Sequence, residues 1–215
     1  MPFLYPTLPN IMERVLRFSS KLIFSIFSEV KIFGLENLPE KGPIIFASNH
    51  GSELDVLLFG TSAPAKFIPY FFVSMDKGLY KKSGWRQIFY GGFIFDMFGA
   101  YKAMRGTGDY AKSLSIYTRV LTDGHNVFIF PEGQRTLDGR LQRGRGGVSF
   151  LATQGNVPIV PVGISGNFNV RFLDFILRKR KFKVSFGKPI HFSKEESNHS
   201  QNAEKVMAEI GRLLR

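Results

Sequence analysis

Residues 43–55 read PIIFASNHGSELD, and this stretch decides the fold class. Its first six residues form an apolar run of strand length, which follows the turn-forming residues Pro39 and Gly42. Such a run, bounded by turn signals, is typical of a strand buried on both faces of a sheet. A polar loop comes next, and Ser52 is placed to cap a helix that runs from Glu53 to about Phe59.

The alternation of strand and helix continues along the whole chain. Further strands are predicted at Val30–Phe33, Lys66–Ser74, Gly99–Met104, Asn126–Phe130, Val157–Gly163 and Lys181–Phe186. Further helices are predicted at Pro9–Glu29, from Thr107 or Asp109 to Leu121, at 144–155 and at Gln201–Leu214, while the aromatic segment 84–98 is ambiguous. Strands alternating with helices predict an α/β fold, with a mainly parallel central sheet flanked by helices.

The first predicted helix is amphipathic and sets residues 1–28 apart from a main domain of residues 29–215. On a helical wheel one side carries the charged residues Glu13, Arg14, Arg17 and Lys21. Apolar residues cover most of the remainder, and a wide apolar face beside a narrow basic stripe favours a helix lying in a membrane interface. The alternative is a terminal helix docked on its own domain. Residues 168–183, apolar and then basic, leave a similar choice between lipid docking and a solvated loop.

The composition limits the possible partners and chemistry. The net charge of +12 indicates an anionic partner, which is a nucleic acid, an anionic lipid or an acidic carrier or cofactor. The 23 phenylalanines favour an apolar ligand or a bilayer over stacked bases. Cysteine is absent, which excludes a thiol nucleophile and a disulfide framework. The four histidines are scattered, so no metal site is predicted.

Two polar segments follow predicted buried strands. On one continuous helix His50 and Asp55 would lie about 140° apart, but a loop followed by a helix start allows them to meet. A carboxylate on one ring nitrogen would make the other a better base. The alternative is a structural histidine and a helix-capping aspartate. In the second segment, Phe130–Thr136, Arg135 has the geometry to hold a phosphate, or simply forms an ion pair with Glu132.

Together these segments resemble the glycerolipid acyltransferase family, most closely its bacterial 1-acylglycerol-3-phosphate acyltransferases. The resemblance rests on a His-x4-Asp block within Asn49–Asp55 and a Phe-Pro-Glu-Gly-x-Arg block at Phe130–Arg135. Weaker blocks lie in the family's order at Gly34–Pro39, Gly99–Arg105, Val157–Val162 and Phe186–Ile190. The two strong blocks are about 80 residues apart and in the right order, and the resemblance covers roughly residues 30 to 190.

The resemblance implies a reaction and a role for each matching residue. His50 would be the general base and Asp55 its orienting partner, while Arg105 and Arg135 would bind the acceptor's phosphate at a site shaped by Glu132 and Gly133. An acyl group would pass from acyl-CoA or acyl carrier protein directly to the sn-2 hydroxyl of lysophosphatidate, without a cofactor. Residues 29–215 would be the acyltransferase domain. The enzyme would be a peripheral or monotopic protein on the cytoplasmic face of the cell membrane, in contact with anionic lipids.

Other functions stay open at this point. The acceptor is alternatively glycerol 3-phosphate, another lysophospholipid or an amino-acid lysolipid, because Gln134 stands where the family often has threonine. A nucleic-acid-binding module is a remote alternative that only the charge suggests, since the signature motifs of RNA-binding domains are missing. We therefore expect no nucleic-acid partner. Arg140, Arg143 and Arg145 either contact a ligand phosphate or an acidic carrier, or are solvated.

Overall fold

A computed structural model describes residues 6–74, 99–103 and 109–215 of the chain. The strands are β1 (Glu29–Phe33), β2 (Ile45–Ser48), β3 (Tyr70–Ser74), β4 (Ala100–Lys102), β5 (Asn126–Ile129), β6 (Ile159–Ser165) and β7 (Lys181–Phe186). The helices are α1 (Thr7–Phe27), α2 (Asp55–Ser62), α3 (Tyr110–Ser113), α4 (Ser115–Thr122), α5 (Gly147–Gly155), α6 (Phe172–Ile176) and α7 (His199–Leu213). Two short 3-10 turns are found at Leu35–Asn37 and Ala65–Phe67.

The seven strands within the described ranges form one sheet in the order β1-β7-β6-β2-β5-β3-β4. Every pairing is parallel except that of β6 with β7, which is antiparallel. At the centre, Ile45 of β2 pairs with Val127 of β5 on one side and with Ile159 of β6 on the other. The prediction of a mainly parallel α/β sheet is therefore confirmed.

Helices cover both faces of the sheet because successive strand residues point to opposite sides. On one face Ile45 and Ala47 pack with Tyr117 of α4, Leu151 of α5 and Val206 of α7. On the other face a second core contains Phe46 and Phe128 together with Phe59 of α2 and Phe24 of α1. The apolar run that begins the quoted stretch thus contributes to both cores, as a strand buried on both faces must.

Several element boundaries differ from the predicted ones. The helix expected from Glu53 begins at Asp55, because residues 53–54 form a turn. Ser52 still holds the start of this segment, since its hydroxyl accepts a hydrogen bond of 3.1 Å from the Leu54 N–H and its own N–H donates to the Asp55 carboxylate. The strand expected from Lys66 begins only at Tyr70, because the 3-10 turn at Ala65–Phe67 precedes it. The ambiguous segment 84–98 lies outside the described residues.

Helix α1 is formed as predicted, but part of its charged stripe contacts the domain. Glu13 is buried and accepts a hydrogen bond of 3.0 Å from the backbone N–H of Tyr70. Arg17 donates to the carbonyl oxygens of Gly60 and Ala63, where the end of α2 leaves carbonyls without helical partners. This part of the stripe therefore faces the domain, as in the alternative of a docked helix. Of the helices within the described ranges, none combines the length and apolarity needed to cross a membrane.

Candidate active site

The loop after β2 carries the first polar segment, and neighbouring strands fix its position. Asn49 accepts a hydrogen bond of 2.8 Å from the backbone N–H of Ile164 and donates one of 2.9 Å to the carbonyl of the same residue. This two-way contact joins the carboxyl ends of β2 and β6. Thr136 adds a backbone bond of 2.9 Å to the carbonyl of His50, so the loop is held from the side of β5 as well.

His50 and Asp55 are in direct contact, as their spacing across the loop predicts. Nδ1 of His50 lies 2.8 Å from Oδ2 of Asp55. The carboxylate is fully buried, whereas the imidazole is 21% exposed. Because an ionised carboxylate only accepts hydrogen bonds, Nδ1 carries the proton in this contact, and the neutral imidazole then has its lone pair on Nε2. The ring stacks on Phe130, with 3.9 Å between ring centroids.

The buried carboxylate of Asp55 receives four more hydrogen bonds. Oδ2 accepts from the backbone N–H groups of Gly51 and Ser52 at 2.7 and 2.9 Å. Oδ1 accepts from the Ser52 hydroxyl at 3.1 Å and from Nδ2 of Asn167 at 2.7 Å. These donors offset the cost of removing a charge from water. Gly51 is required here, since a Cβ at this position would come within 2.5 Å of the Asn167 amide.

Glu132 lies beside this pair and holds two backbone segments together. One carboxylate oxygen accepts from the N–H of His50 at 2.8 Å, and the other accepts from the N–H of Gln142 at 2.9 Å. The residue is 3% exposed, and burial raises the pKa of its carboxyl while the two backbone donors oppose that rise. Its carboxylate therefore joins the two loops at the edge of the cleft.

The remaining predicted site residues follow Glu132 in the chain. Gly133 adopts a left-handed backbone with φ of 69°, and a Cβ there would lie 2.8 Å from Nε of Arg145. Arg135 forms an ion pair of 3.3 Å with Glu53, which belongs to the His50–Asp55 segment, so the two strong sequence blocks touch. The Arg135 side chain is about half exposed. Arg105 lies outside the described residues.

A cleft of about 240 Å³ opens between these segments. His50, Glu132 and Thr136 line one part of it, and residues 164–168 and Leu214 line another. Sequence reasoning missed Asn167, and it left the role of Arg140, which also lines the cleft, undecided. Within residues 6–74, 99–103 and 109–215 no three His, Asp or Glu side chains converge to hold a metal ion.

Fold and site together define an α/β protein whose polar cleft lies at the carboxyl ends of parallel strands, where such folds bind their ligands. A family model described as Acyltransferase matches residues 29–165, and the chain belongs to that family. Among similar proteins, a chloroplastic 1-acyl-sn-glycerol-3-phosphate acyltransferase of Arabidopsis thaliana is 32% identical over 188 residues. That match covers 83% of this chain and 49% of the plant protein, so the chain spans about half of that relative's length.

Two bacterial proteins are also similar. A 1-acyl-sn-glycerol-3-phosphate acyltransferase of Bacillus subtilis is 28% identical over 171 residues, which cover 80% of this chain and 78% of that protein. The crystal structure of a 1-acyl-sn-glycerophosphate acyltransferase from Thermotoga maritima superposes with a TM-score of 0.69 at 20% identity. The superposition covers 95% of this chain and 79% of the Thermotoga chain, and it shows that the fold is shared.

Proposed function

We propose that this protein transfers a fatty acyl group from an acyl thioester to the sn-2 hydroxyl of lysophosphatidate, giving phosphatidate. The observation that carries the proposal is the contact between His50 and the buried Asp55 at the wall of the cleft. Membership of the Acyltransferase family supports it, as do the activities for which the relatives are named. Acyl-CoA and acyl carrier protein both present the required thioester, and the reaction needs no cofactor.

The chemistry follows from the state of the imidazole. Nε2 of His50 takes the proton of the acceptor hydroxyl while its oxygen attacks the thioester carbonyl, and Asp55 stabilises the resulting imidazolium. When the C–S bond breaks, the departing sulfur takes that proton back and leaves as a thiol. Transfer is direct, since the Ser52 hydroxyl bonds Asp55 and the surrounding loop lacks a nucleophile elbow.

The phosphate of the acceptor is bound by arginine side chains beside the His50 segment. We assign this role to Arg135, whose guanidinium is exposed beside the His50 segment, and to Arg105 by resemblance. Glu132 and Gly133 shape the same site by fixing the loop on which Arg135 stands. Arg140 lines the cleft and is a further cation near the reacting groups.

Membrane association on the cytoplasmic face, peripheral or monotopic, completes the proposal. The side of α1 turned away from the domain is apolar, with Ile11, Val15, Phe18, Leu22, Ile23 and Ile26 exposed. An amphipathic helix with this arrangement binds at the interface of a bilayer, where lysolipid acceptors are found. Residues 1–28 then serve as the membrane-associating segment of an acyltransferase domain formed by residues 29–215.

Purified protein with an acyl thioester and a panel of acceptors tests the enzymatic proposal. We expect acylation of lysophosphatidate to exceed that of glycerol 3-phosphate and of lysolipids without a free phosphate monoester. His50→Ala should abolish turnover with an unchanged unfolding midpoint. Turnover by His50→Ala at the wild-type rate would remove the imidazole from the mechanism, and a preference for another panel member would reassign the acceptor.

Vesicle flotation tests the membrane proposal separately. Leu22→Asp combined with Ile26→Asp places two charges on the exposed face of α1 and should abolish flotation. Ile116→Asp on α4 is the matched control, because it is similarly exposed but lies on the opposite face of the sheet. Unchanged flotation of the α1 double variant would show that this helix is not the anchor.

A further inference from the structure

A second concave surface lies on the flank of α1, apart from the cleft beside His50. This groove of about 320 Å³ is lined by Arg14, Arg17, Phe18 and Lys21 of α1, together with Ala65 and Ile68 on the opposite wall. The three cations are spaced three and four residues apart, which places them on one side of the helix. Three positive charges therefore border one recess that the proposed reaction does not use.

The cations lack anionic partners within the described part of the chain. Arg14 donates only to the side-chain oxygen of Asn10, at 2.7 Å. Arg17 uses one nitrogen, Nη1, for both carbonyl oxygens at the end of α2. The described ion pairs involve none of Arg14, Arg17 and Lys21. Their charge is thus available to a ligand.

The acidic residue nearest in sequence does not neutralise the groove. Glu13 precedes Arg14, but its side chain is buried against β3, and burial raises the pKa of its carboxyl well above the usual range. The Glu13 carboxyl bonds the Tyr70 N–H and does not line the groove, so it forms no ion pair there with the three cations. Guanidinium and ammonium groups together suit a phosphate, whose several oxygens accept charge-assisted hydrogen bonds.

The apolar surroundings indicate what carries that phosphate. Phe18 lines the groove and is 75% exposed, and it belongs to the outward apolar face of α1 described above. Ile68 and Ala65 supply apolar atoms on the other wall. A ligand that combines a phosphate with hydrocarbon fits both parts, whereas a soluble anion would use only the cations.

We propose that the groove between α1 and residues 65–68 binds the headgroup phosphate of an anionic phospholipid of the bilayer, with an acyl chain against Phe18. The proposal rests on the membrane association of α1 proposed above. It adds a lipid site separate from the catalytic cleft, through which the protein distinguishes anionic from zwitterionic membranes.

The test compares binding to phosphatidylcholine vesicles with binding to an equimolar mixture of phosphatidylcholine and phosphatidylglycerol. Arg14→Gln/Lys21→Gln should weaken binding to the mixed vesicles by about 30-fold, since each cation near an anionic surface contributes about 1 kcal/mol. Binding to phosphatidylcholine alone should not change. Lys112→Gln/Arg119→Gln removes the same charge from α3 and α4, across the sheet, and should keep the preference for mixed vesicles.

A second variant separates a defined site from diffuse attraction. Ala65→Phe fills the groove and retains every charge, and Ala65 is exposed, so the substitution is compatible with the fold. Loss of the preference for mixed vesicles supports the groove, whereas wild-type preference overturns it. If Leu22→Asp/Ile26→Asp fails to bind either kind of vesicle, the result tests the membrane association of the apolar face of α1 and not the groove. Stabilisation by inorganic phosphate without a preference for phosphatidylglycerol would assign the groove to a soluble anion and overturn the lipid site.

Discussion

Asn167 donates a hydrogen bond of 2.7 Å from Nδ2 to Oδ1 of Asp55, which lies 112 residues earlier in the chain. Both side chains are buried, and the contact links the segment after β6 to the first residue of α2. The other carboxylate oxygen of Asp55 bonds Nδ1 of His50. Asn167 therefore fixes the orientation of the carboxylate that in turn orients the imidazole, and it is a positioning residue for the proposed reaction.

The first expected outcome concerns Asn167→Ala. Removing the amide leaves a buried carboxylate oxygen with one donor fewer, so we expect the free energy of unfolding to fall by roughly 1–3 kcal/mol. Because small misplacements of a base are costly, kcat should fall by about 10- to 100-fold while KM changes little. Urea denaturation and steady-state kinetics measure these effects.

The control for this variant is Asn202→Ala. Asn202 is equally buried and donates to Ser149 and to the carbonyl of Glu196, on the face of the sheet away from α2. It should lose stability and keep kcat. If Asn167→Ala also keeps kcat, the amide contributes to folding alone.

These contacts show which parts of the site could be predicted from the sequence. The pairing of His50 with Asp55 was one of two alternatives that the sequence offered, because a loop followed by a helix start allows the two side chains to meet. Asn167 could not be predicted, since asparagine after Gly166 is an ordinary loop residue and only the sheet order brings β6 beside β2. Proximity of the carboxyl ends of neighbouring parallel strands was the one available signal.

The orientation of α1 could not be predicted from the sequence, for a different reason. A helical wheel separates polar from apolar positions, but it does not determine which of them contact the domain. The wheel groups Glu13 and Arg17 with Arg14 and Lys21 on one charged stripe, yet Glu13 is buried and Arg17 caps α2. Tyr70 and the carbonyls at the end of α2 provide partners that are remote in sequence, so the surface that packs on the domain is partly polar.

The second expected outcome concerns Glu132→Gln. Both carboxylate oxygens of Glu132 accept a backbone N–H group. The glutamine amide replaces one of these oxygens by an NH₂ group, which faces a backbone N–H and leaves that N–H without an acceptor. We expect a loss of roughly 1–3 kcal/mol in the free energy of unfolding, together with reduced kcat as the His50 loop loosens. Glu204→Gln, in a largely exposed ion pair, is the control and should change stability by less than about 0.5 kcal/mol. Equal stability of the two variants would contradict the role of Glu132 in joining the two loops.

The third expected outcome concerns Arg135→Gln. The ion pair with Glu53 is exposed, so its loss should cost at most about 1 kcal/mol of stability. Loss of a charge-assisted bond to phosphate should instead lower kcat/KM for lysophosphatidate by roughly 10- to 100-fold. Monoacylglycerol lacks the phosphate, and the variant should use it no worse than the wild type does. Arg143→Gln removes a similar exposed cation and serves as control; parallel losses in both variants, or on both acceptors, would count against phosphate binding by Arg135.

The fourth expected outcome is a pH dependence that originates at Glu13. Burial raises the pKa of this carboxyl above its ordinary value of 4.5, so the folded state holds the proton more tightly than the unfolded chain does. The stability that this group contributes is fully present below pH 4.5 and is lost as the pH rises through the folded-state pKa. Glu13→Gln is neutral at every pH. Hence the wild type should lose stability relative to the variant as the pH rises, with a slope of at most about 1.4 kcal/mol per pH unit.

Urea denaturation of the wild type and of Glu13→Gln from about pH 5 to about pH 8 measures the difference in their free energies of unfolding. Comparing the two proteins cancels the contribution of Glu132, whose raised pKa is common to both. Glu36→Gln, an exposed carboxylate on the turn after β1, controls for the loss of one ionisable side chain. A stability difference between wild type and Glu13→Gln that stays constant with pH would show that Glu13 titrates alike in the folded and unfolded chain. Burial against Tyr70 would then have no effect on the protonation of Glu13.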